Sequence, residues 1–261
     1  METFCEQLRF WRKNKGFSQL DLSLEAGISS KHISFLETAR AKPSKEMVLL
    51  LADALDVPLR HRNQLLSCAG FAEHYERTPV HRDKMQNVQF ALNSMLEKHE
   101  PYPAMVLDWN WNIVLANQSF QRFLQQVQAL SPGFTASDNV AEMLFDPQGA
   151  KPFIRNWDEV ASVIIQRLHH EKTAHPGRHT ELLETLFSYP DTPQHWRQIN
   201  LRQQPEPMVY VDFELAGNVL KFFTTLTSFG TPIDITAQEL VIEQYYPADE
   251  ATRQLFESQV V

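Results

Sequence analysis

The chain has 261 residues, 43% of them hydrophobic, with two cysteines and a net charge of −8. That composition supports one or two packed domains. Cys5 and Cys68 make neither a disulfide framework nor a CxxC pair, so a reducing, cytoplasmic location is expected. No run approaches the roughly 18 apolar residues of a membrane helix, and the start of the chain has no apolar signal segment.

The charge is unevenly spread. Residues 1–75 carry 10 Lys and Arg against 9 Asp and Glu, net +1, and the remaining residues are net −9. A nucleic-acid surface therefore needs positive charge localised within the first part of the chain.

Residues 4–15 read as a helix with Phe4, Leu8 and Trp11 on one face and Arg9, Arg12, Lys13 and Lys15 elsewhere. Gly16 ends it. Ser18, with Asp21 three residues on, caps a second helix over 19–26. Gly27 supplies a turn and Ser29 caps a third helix over 30–37. Leu22, Ala26, Ile33 and Leu36 give the two helices matching apolar faces, with small Ser23 at their crossing. Ser30, Lys31, Ser34 and Phe35 are left facing away. Such a pair is either two helices of an ordinary bundle or a helix-turn-helix whose second helix enters the major groove. The flanks favour the second reading, because Arg40 and Lys42 follow where a phosphate backbone would run. Residues 45–55 continue as a helix with Met47, Leu50, Leu51 and Ala54 inward. Pro58 opens a fifth helix that Gly70 closes.

The stretch S-Q-L-D-L-S-L-E-A-G-I-S-S-K-H-I-S-F-L-E-T-A-R-A-K-P-S, residues 18–44, resembles the lambda-repressor-like, XRE-type helix-turn-helix family. The resemblance implies that Gln19 and Ser29 hold phosphates and that Ser30, Lys31, Ser34 and Phe35 face bases. With His32, Arg40 and Lys42 these form the expected DNA-binding set. It also implies an ion pair from Arg12 to Glu37. Ala39 stands where the family usually has Gly, which strains a left-handed loop position. The longer string over residues 32–75 is similar to the subgroup whose C-terminal half is an MmyB-like, PAS-like ligand-binding domain.

Residues 76–84 are polar and read as a linker between a domain over 1–75 and another over 85–261. Residues 85–98 form a helix with Val88, Leu92, Met95 and Leu96 inward, stopped by Pro101 and Pro103. A-M-V-L-D-W-N-W-N-I-V-L-A-N is then strand, tight turn and strand. Asn117 caps a helix to about residue 126, Asp138 another through 145. Residues 157–170 are amphipathic, with Val160, Val163, Ile164 and Leu168 on one side, and 180–187 are helical. Strands follow over 208–215, 218–226 and 239–245, with Ala216-Gly217-Asn218 as a hairpin turn. Residues 249–259 close the chain as a helix. The strings V-L-K-F-F-T-T-L-T-S-F and G-T-P-I-D-I-T-A-Q-E-L again resemble the MmyB-like family. The fold class expected is α+β: an all-α five-helix DNA-binding domain, then a PAS-like sensor domain with an antiparallel sheet.

Catalytic signatures are absent: no Walker loop, G-x-S-x-G or H-E-x-x-H occurs. An enzyme is not expected, nor a cofactor. His169, His170, His175 and His179 fall within eleven residues. A metal site there competes with a solvated loop, and Pro176-Gly177 breaks the register a metal site would need, so no metal is expected. Aromatic residues say more. Phe120, Phe123, Trp157, Phe213, Phe222 and Phe223 occupy inward positions, which suit either plain core or a cavity for a small molecule. Phe120, Phe123, Trp157, Val160, Ile164, Phe213 and Phe222 are the candidate ligand set. Arg155, His195 or Arg197 are candidates to orient a polar head. The family resemblance implies a hydrophobic, possibly fatty-acid-like effector. The partners expected are a double-stranded DNA operator, that effector and a second copy of the chain, with no membrane. The competing reading is a constitutive DNA-binding regulator whose C-terminal domain only dimerises or docks a protein partner.

Overall fold

The computed structural model describes residues 3–194, 196 and 208–258. The chain falls into two compact units, Met1–Met85 with Gly230–Gln238, and Gln86–Phe229 with Glu239–Val261.

The first unit is built on five helices: α1 (Phe4–Asn14), α2 (Gln19–Ala26), α3 (Ser30–Glu37), α4 (Lys45–Ala54) and α5 (Leu59–Cys68). Local chemistry sets their ends. The Asp21 amide donates to Ser18 Oγ at 3.1 Å, and the Ser18 amide donates back to Asp21 Oδ2 at 2.7 Å, a reciprocal capping box. Gly27 ends α2 at φ 66°, a left-handed conformation that costs glycine little. Ser29 caps α3 by accepting from the His32 amide at 3.2 Å, and Ser44 caps α4 by accepting from Met47. Leu8, Leu22, Ile33, Leu36, Leu51 and Leu66 make the core. On α4 the buried stripe is Val48, Leu51, Ala52 and then Leu55, while Leu50 is 43% exposed. The inward face is thus turned by about one residue from the Met47–Leu50–Leu51–Ala54 set expected. Periodicity fixes the width of such a stripe better than its phase when neighbouring residues are all apolar.

The second unit begins with α6 (Gln86–Lys98) and a hairpin of β1 (Ala104–Leu107) and β2 (Ile113–Ala116). Helices α7 (Gln118–Leu130), α8 (Val140–Phe145), α9 (Trp157–Ala174) and α10 (Thr180–Ser188) follow, then β3 (Val211–Leu215) and β4 (Asn218–Thr227). A short helix α11 (Ile235–Glu239) between β4 and β5 falls in the first unit save its last residue, and β5 (Val241–Pro247) and α12 (Glu250–Glu257) complete the second. The five strands pair antiparallel in the order β2-β1-β5-β4-β3, the PAS-like sheet expected. Ala216 and Gly217, both at positive φ, turn β3 into β4, as a two-residue hairpin with strand-matched twist requires. Met105, Phe213, Leu220, Phe222 and Tyr245 from the sheet join Phe120, Val127, Phe145, Ile165 and Leu168 from the helices in one core.

Three local expectations are corrected. Asn139, not Asp138, caps α8: its Oδ1 accepts from the Ala141 and Glu142 amides, while its Nδ2 donates to Asn110 O at 2.7 Å. On α9 the buried residues are Trp157, Val160, Ala161, Ile165 and Leu168, and Val163 is 40% exposed. Phe223 stacks on Tyr246, its cross-strand partner, rather than joining that core.

The unit boundaries also differ from the sequence reading. Residues 76–84 pack with the first unit, as do Gly230–Gln238. The latter are held by the Leu59 amide donating to Gln238 Oε1 at 2.7 Å, the Thr78 amide to Asp234 Oδ2 at 3.1 Å, and the Ile235 amide to Glu76 O at 2.9 Å. Ile235 and Ala237 are buried. The chain therefore passes between the units at three places, not one.

Candidate DNA-binding surface and effector cavity

Helix α3 presents Ser30 and Lys31 exposed and His32, Ser34 and Phe35 half-buried, and Arg40 and Lys42 are exposed in the loop after it. The helix is fixed from behind. Arg12 grips Glu37 with two hydrogen bonds, Nε to Oε1 at 2.5 Å and Nη2 to Oε2 at 2.9 Å, and also donates to Phe17 O. Arg9 Nη2 donates to Glu37 O at 2.7 Å. Glu37 is 2% exposed. Burial pushes its carboxyl up, yet the Arg12 and Gln19 hydrogen bonds outweigh this and hold it below the usual range. The forked geometry also fixes α3 against α1 in orientation.

Gln19 sits differently from its implied role. Its amide Nε2 donates to Glu37 Oε2 at 2.9 Å, so one of its N–H groups is already engaged inside the protein. Ser29 Oγ is likewise engaged as the α3 cap, leaving its hydroxyl hydrogen for a phosphate. After α3, Ala39 has φ 57°, the left-handed loop position that the family resemblance implies. The Arg40 and Ala41 amides donate to Phe35 O at 2.8 and 3.2 Å, tying the basic loop to the end of the helix.

In the second unit, a cavity opens between the sheet and α7–α8. Its atom-free space, mouth included, is about 480 Å³, most of it too narrow for water. Phe120, Phe123, Leu124 and Val127 of α7 form one wall, an i, i+3, i+4, i+7 stripe. Val140, Met143 and Leu144 of α8 with Phe134 and Ala150 form another, and Met105, Phe213, Phe222 and Tyr245 the floor. Every one of these side chains ends in hydrocarbon or sulfur except Tyr245. Burial and then the Glu243 charge push the Tyr245 hydroxyl well above its usual range, so it stays a donor. Two residues along β5, on the same face, burial raises the Glu243 carboxyl to about 7 against the opposing charge of Arg167.

Of the sequence-derived ligand set, Phe120, Phe123, Phe213 and Phe222 line this cavity. Trp157, Val160 and Ile164 do not. Trp157 donates from Nε1 to Leu144 O at 3.1 Å and packs edge-on against Phe145. Val160 is core, and Ile164 packs against it. Arg155 is exposed and paired with Glu214 at 3.6 Å, away from the cavity lining. His195 and Arg197 lie outside the described residues. Leu124 and Val127 were within reach of sequence reasoning, since they continue the stripe begun by Phe120 and Phe123.

The histidine tract is not a solvated loop. His179 is 4% exposed, and its Nε2 lies 2.7 Å from Glu171 Oε2. Arg178 Nη2 at 3.1 Å, Arg167 Nε at 2.8 Å and Trp111 Nε1, donating at 3.4 Å, surround the same carboxylate. Burial raises the Glu171 carboxyl, but His179, Arg178 and Arg167 together bring it to about 2. No group of three His, Cys, Asp or Glu that could hold a metal occurs among the described residues. Among them too, no helix is long and apolar enough to cross a membrane.

Residues 8–61 match a helix-turn-helix family, and residues 88–258 match the MmyB-like transcription regulator ligand binding domain. No curated protein matches the chain. Among solved structures, an RNA-binding light-oxygen-voltage receptor matches at 10% identity and a TM-score of 0.28, over 97% of this chain and 61% of that one. A likeness that slight bears on neither fold nor function. The two matched families identify the chain as a member of the MmyB-like transcription regulators, a DNA-binding regulator with a ligand-binding domain.

Proposed function

We propose that the protein binds an operator as a homodimer and that a hydrophobic effector, of the fatty-acid kind, adjusts that binding from the C-terminal cavity. Ser30, Lys31 and Ser34 would reach base edges, while Arg40, Lys42 and Lys45 meet phosphates. Two copies would read half-sites about 34–36 Å apart. With roughly 6–10 phosphate contacts, affinity would fall by about 10³–10⁵ between 50 and 200 mM salt.

The observation that carries the effector reading is the lining of the cavity, apolar throughout apart from the single Tyr245 hydroxyl. Such a lining suits a chain of methylenes with one polar end. The slot is narrow, so a thin flexible chain fits better than a flat ring system. Its entry would spread α7 from the sheet. Phe222 on β4 and Tyr245 on β5 both line the slot, and the segment joining those strands is bonded to Leu59, Glu76 and Thr78 of the first unit. Movement of either strand would pull on that segment. Coupling of this kind is typically worth about 1–3 kcal/mol.

The constitutive reading draws on one observation, the narrowness of that space. The two readings part on one experiment. Purified protein is examined by native mass spectrometry and titrated with a panel of straight-chain saturated fatty acids, while operator affinity is followed by anisotropy. The proposal expects a bound apolar molecule and a change of about 5–150-fold in operator affinity. Binding of no panel member, or binding that leaves operator affinity unchanged, favours the constitutive reading.

A further inference from the structure

Phe35 is the apolar residue on the outward side of α3, and packing in the core of its unit does not explain it. The helix gives Ile33 and Leu36 to the core of its unit. Phe17, Ile28 and Ala41 nearby pack against that core, and Phe35 does not. Its ring is half-buried, yet it is covered on one side by Lys31, whose Nζ lies 5.7 Å from the ring centroid. The backbone beneath is fixed, since Phe35 O accepts from both the Arg40 and Ala41 amides. A cation over an aromatic face at an exposed site is a weak attraction. It is enough to bias the two side chains into a common plate, one helical turn apart on the same face.

In a major groove that plate has two chemically different ends. An ammonium group donates to guanine O6 and N7, whereas an aromatic edge makes apolar contact with the C5 methyl of thymine. The four residues from Lys31 to Phe35 advance about 6 Å, and base pairs are stacked about 3.4 Å apart. The two ends therefore meet base pairs one or two steps apart. Resting on the assignment of α3 as the recognition helix, we propose that Phe35 is a specificity-determining residue that reads a thymine methyl group, one or two base pairs from a guanine read by Lys31, in each half-site.

The experiment uses the full-length protein. Operator duplexes are first selected from a random pool at low salt. In the enriched site each thymine is then replaced singly by uracil, which deletes only the methyl group. Wild type should lose about fourfold in affinity at one thymine per half-site, the effect of withdrawing one buried methyl. Phe35→Ala should bind the thymine and uracil duplexes equally, at the level of wild type on uracil. Phe35→Leu, which keeps an apolar contact and guards against a folding defect, should retain the thymine preference. An enriched site at which no methyl matters overturns the Phe35 assignment alone, as does a thymine preference that survives in Phe35→Ala. A pool that yields no enriched sequence overturns the DNA-reading role of α3 and this assignment with it.

Discussion

In the helix-turn-helix unit the groups offered to a partner lie outside: Ser30, Lys31, Arg40 and Lys42 are exposed, while the buried charges of Arg12 and Glu37 hold the scaffold. In the ligand-binding unit the arrangement is inverted. Its cavity is hydrocarbon within, built from Phe120, Phe123, Phe213 and Phe222, and its charged cluster around Glu171 reaches toward water through Arg167, 32% exposed. A polyanion is met by charge that keeps its hydration until contact, so the surface must be presented rigidly from behind. An apolar molecule is met by removing water, so the site must be enclosed and able to widen. The first unit therefore relies on a stiff buried pair and the second on a yielding apolar slot.

The largest expected effect follows from that stiffness. Glu37→Gln leaves the Arg12 guanidinium buried without its counter-charge, which should cost about 3–5 kcal/mol and lower the urea midpoint of the helical unit sharply. The double variant Arg12→Met with Glu37→Leu should recover much of this, since apolar residues of similar volume often replace a buried pair at little cost. If Glu37→Gln were within about 1 kcal/mol of wild type, α3 would not depend on this pair for its orientation.

Acid should separate the two units next. The ordinary histidine value is 6.5, and burial first of all lowers that of His179, against the opposing pull of Glu171 and with the charges of Arg178 and Arg167 adding to the lowering. A depressed folded-state value means that the unfolded chain takes up the proton first. The stabilisation is then complete above pH 6.5 and is lost as pH falls through the folded value, at up to about 1.4 kcal/mol per pH unit. The lowered Glu37 value works in the same sense but only below about 4.5, its ordinary value. Between pH 6.5 and 5, amide exchange should therefore show α9 and α10 loosening while α3 does not. His179→Asn removes the titration at a left-handed position (φ 57°) that Asn tolerates, and the loosening of α9 and α10 should vanish with it, while lowered His99 and raised Glu243 still titrate elsewhere in the unit with opposite signs. Unchanged loosening in that variant would assign the acid sensitivity to another group.

How far each unit could be read from sequence follows from the same contrast. Capping and turn chemistry are local, so Ser18 with Asp21, Gly27 and Ser29 marked the helix-turn-helix correctly within one or two residues. The Arg12–Glu37 pair spans 25 positions, and only resemblance pointed to it. In the second unit the α7 stripe was legible because 3.6-residue periodicity acts within one helix. Whether an inward aromatic lines a cavity or fills core depends on partners far along the chain, which is why Trp157 went to Leu144 and Phe145 while Tyr245 faced the slot. The segment Gly230–Gln238 was missed for another reason. It docks through amide and carboxylate hydrogen bonds to Leu59, Glu76 and Thr78, which leave little periodic trace in the sequence.

The smallest expected effect tests where each unit keeps its backbone strain. Ala39, Trp111 and His179 all adopt left-handed φ, at 57°, 68° and 57°. At Trp111 and His179 the side chain is engaged: Arg167 lies 4.7 Å over the Trp111 ring, and His179 bonds Glu171. Replacing either by Gly should destabilise, because the lost contacts exceed the relief. Ala39 has only a methyl group to lose. Ala39→Gly relieves a cost of about 1–2 kcal/mol but frees the unfolded chain, by about 0.4–1 kcal/mol, leaving a net gain of about 0.5–1 kcal/mol in urea melts. The residue precedes Arg40 and Lys42, so a looser loop should also weaken operator binding by no more than about threefold, equally for all sequences, since phosphate contacts carry no base preference. Should Ala39→Gly destabilise, the left-handed alanine would be matched by contacts of its own, and the contrast with Trp111 and His179 would disappear.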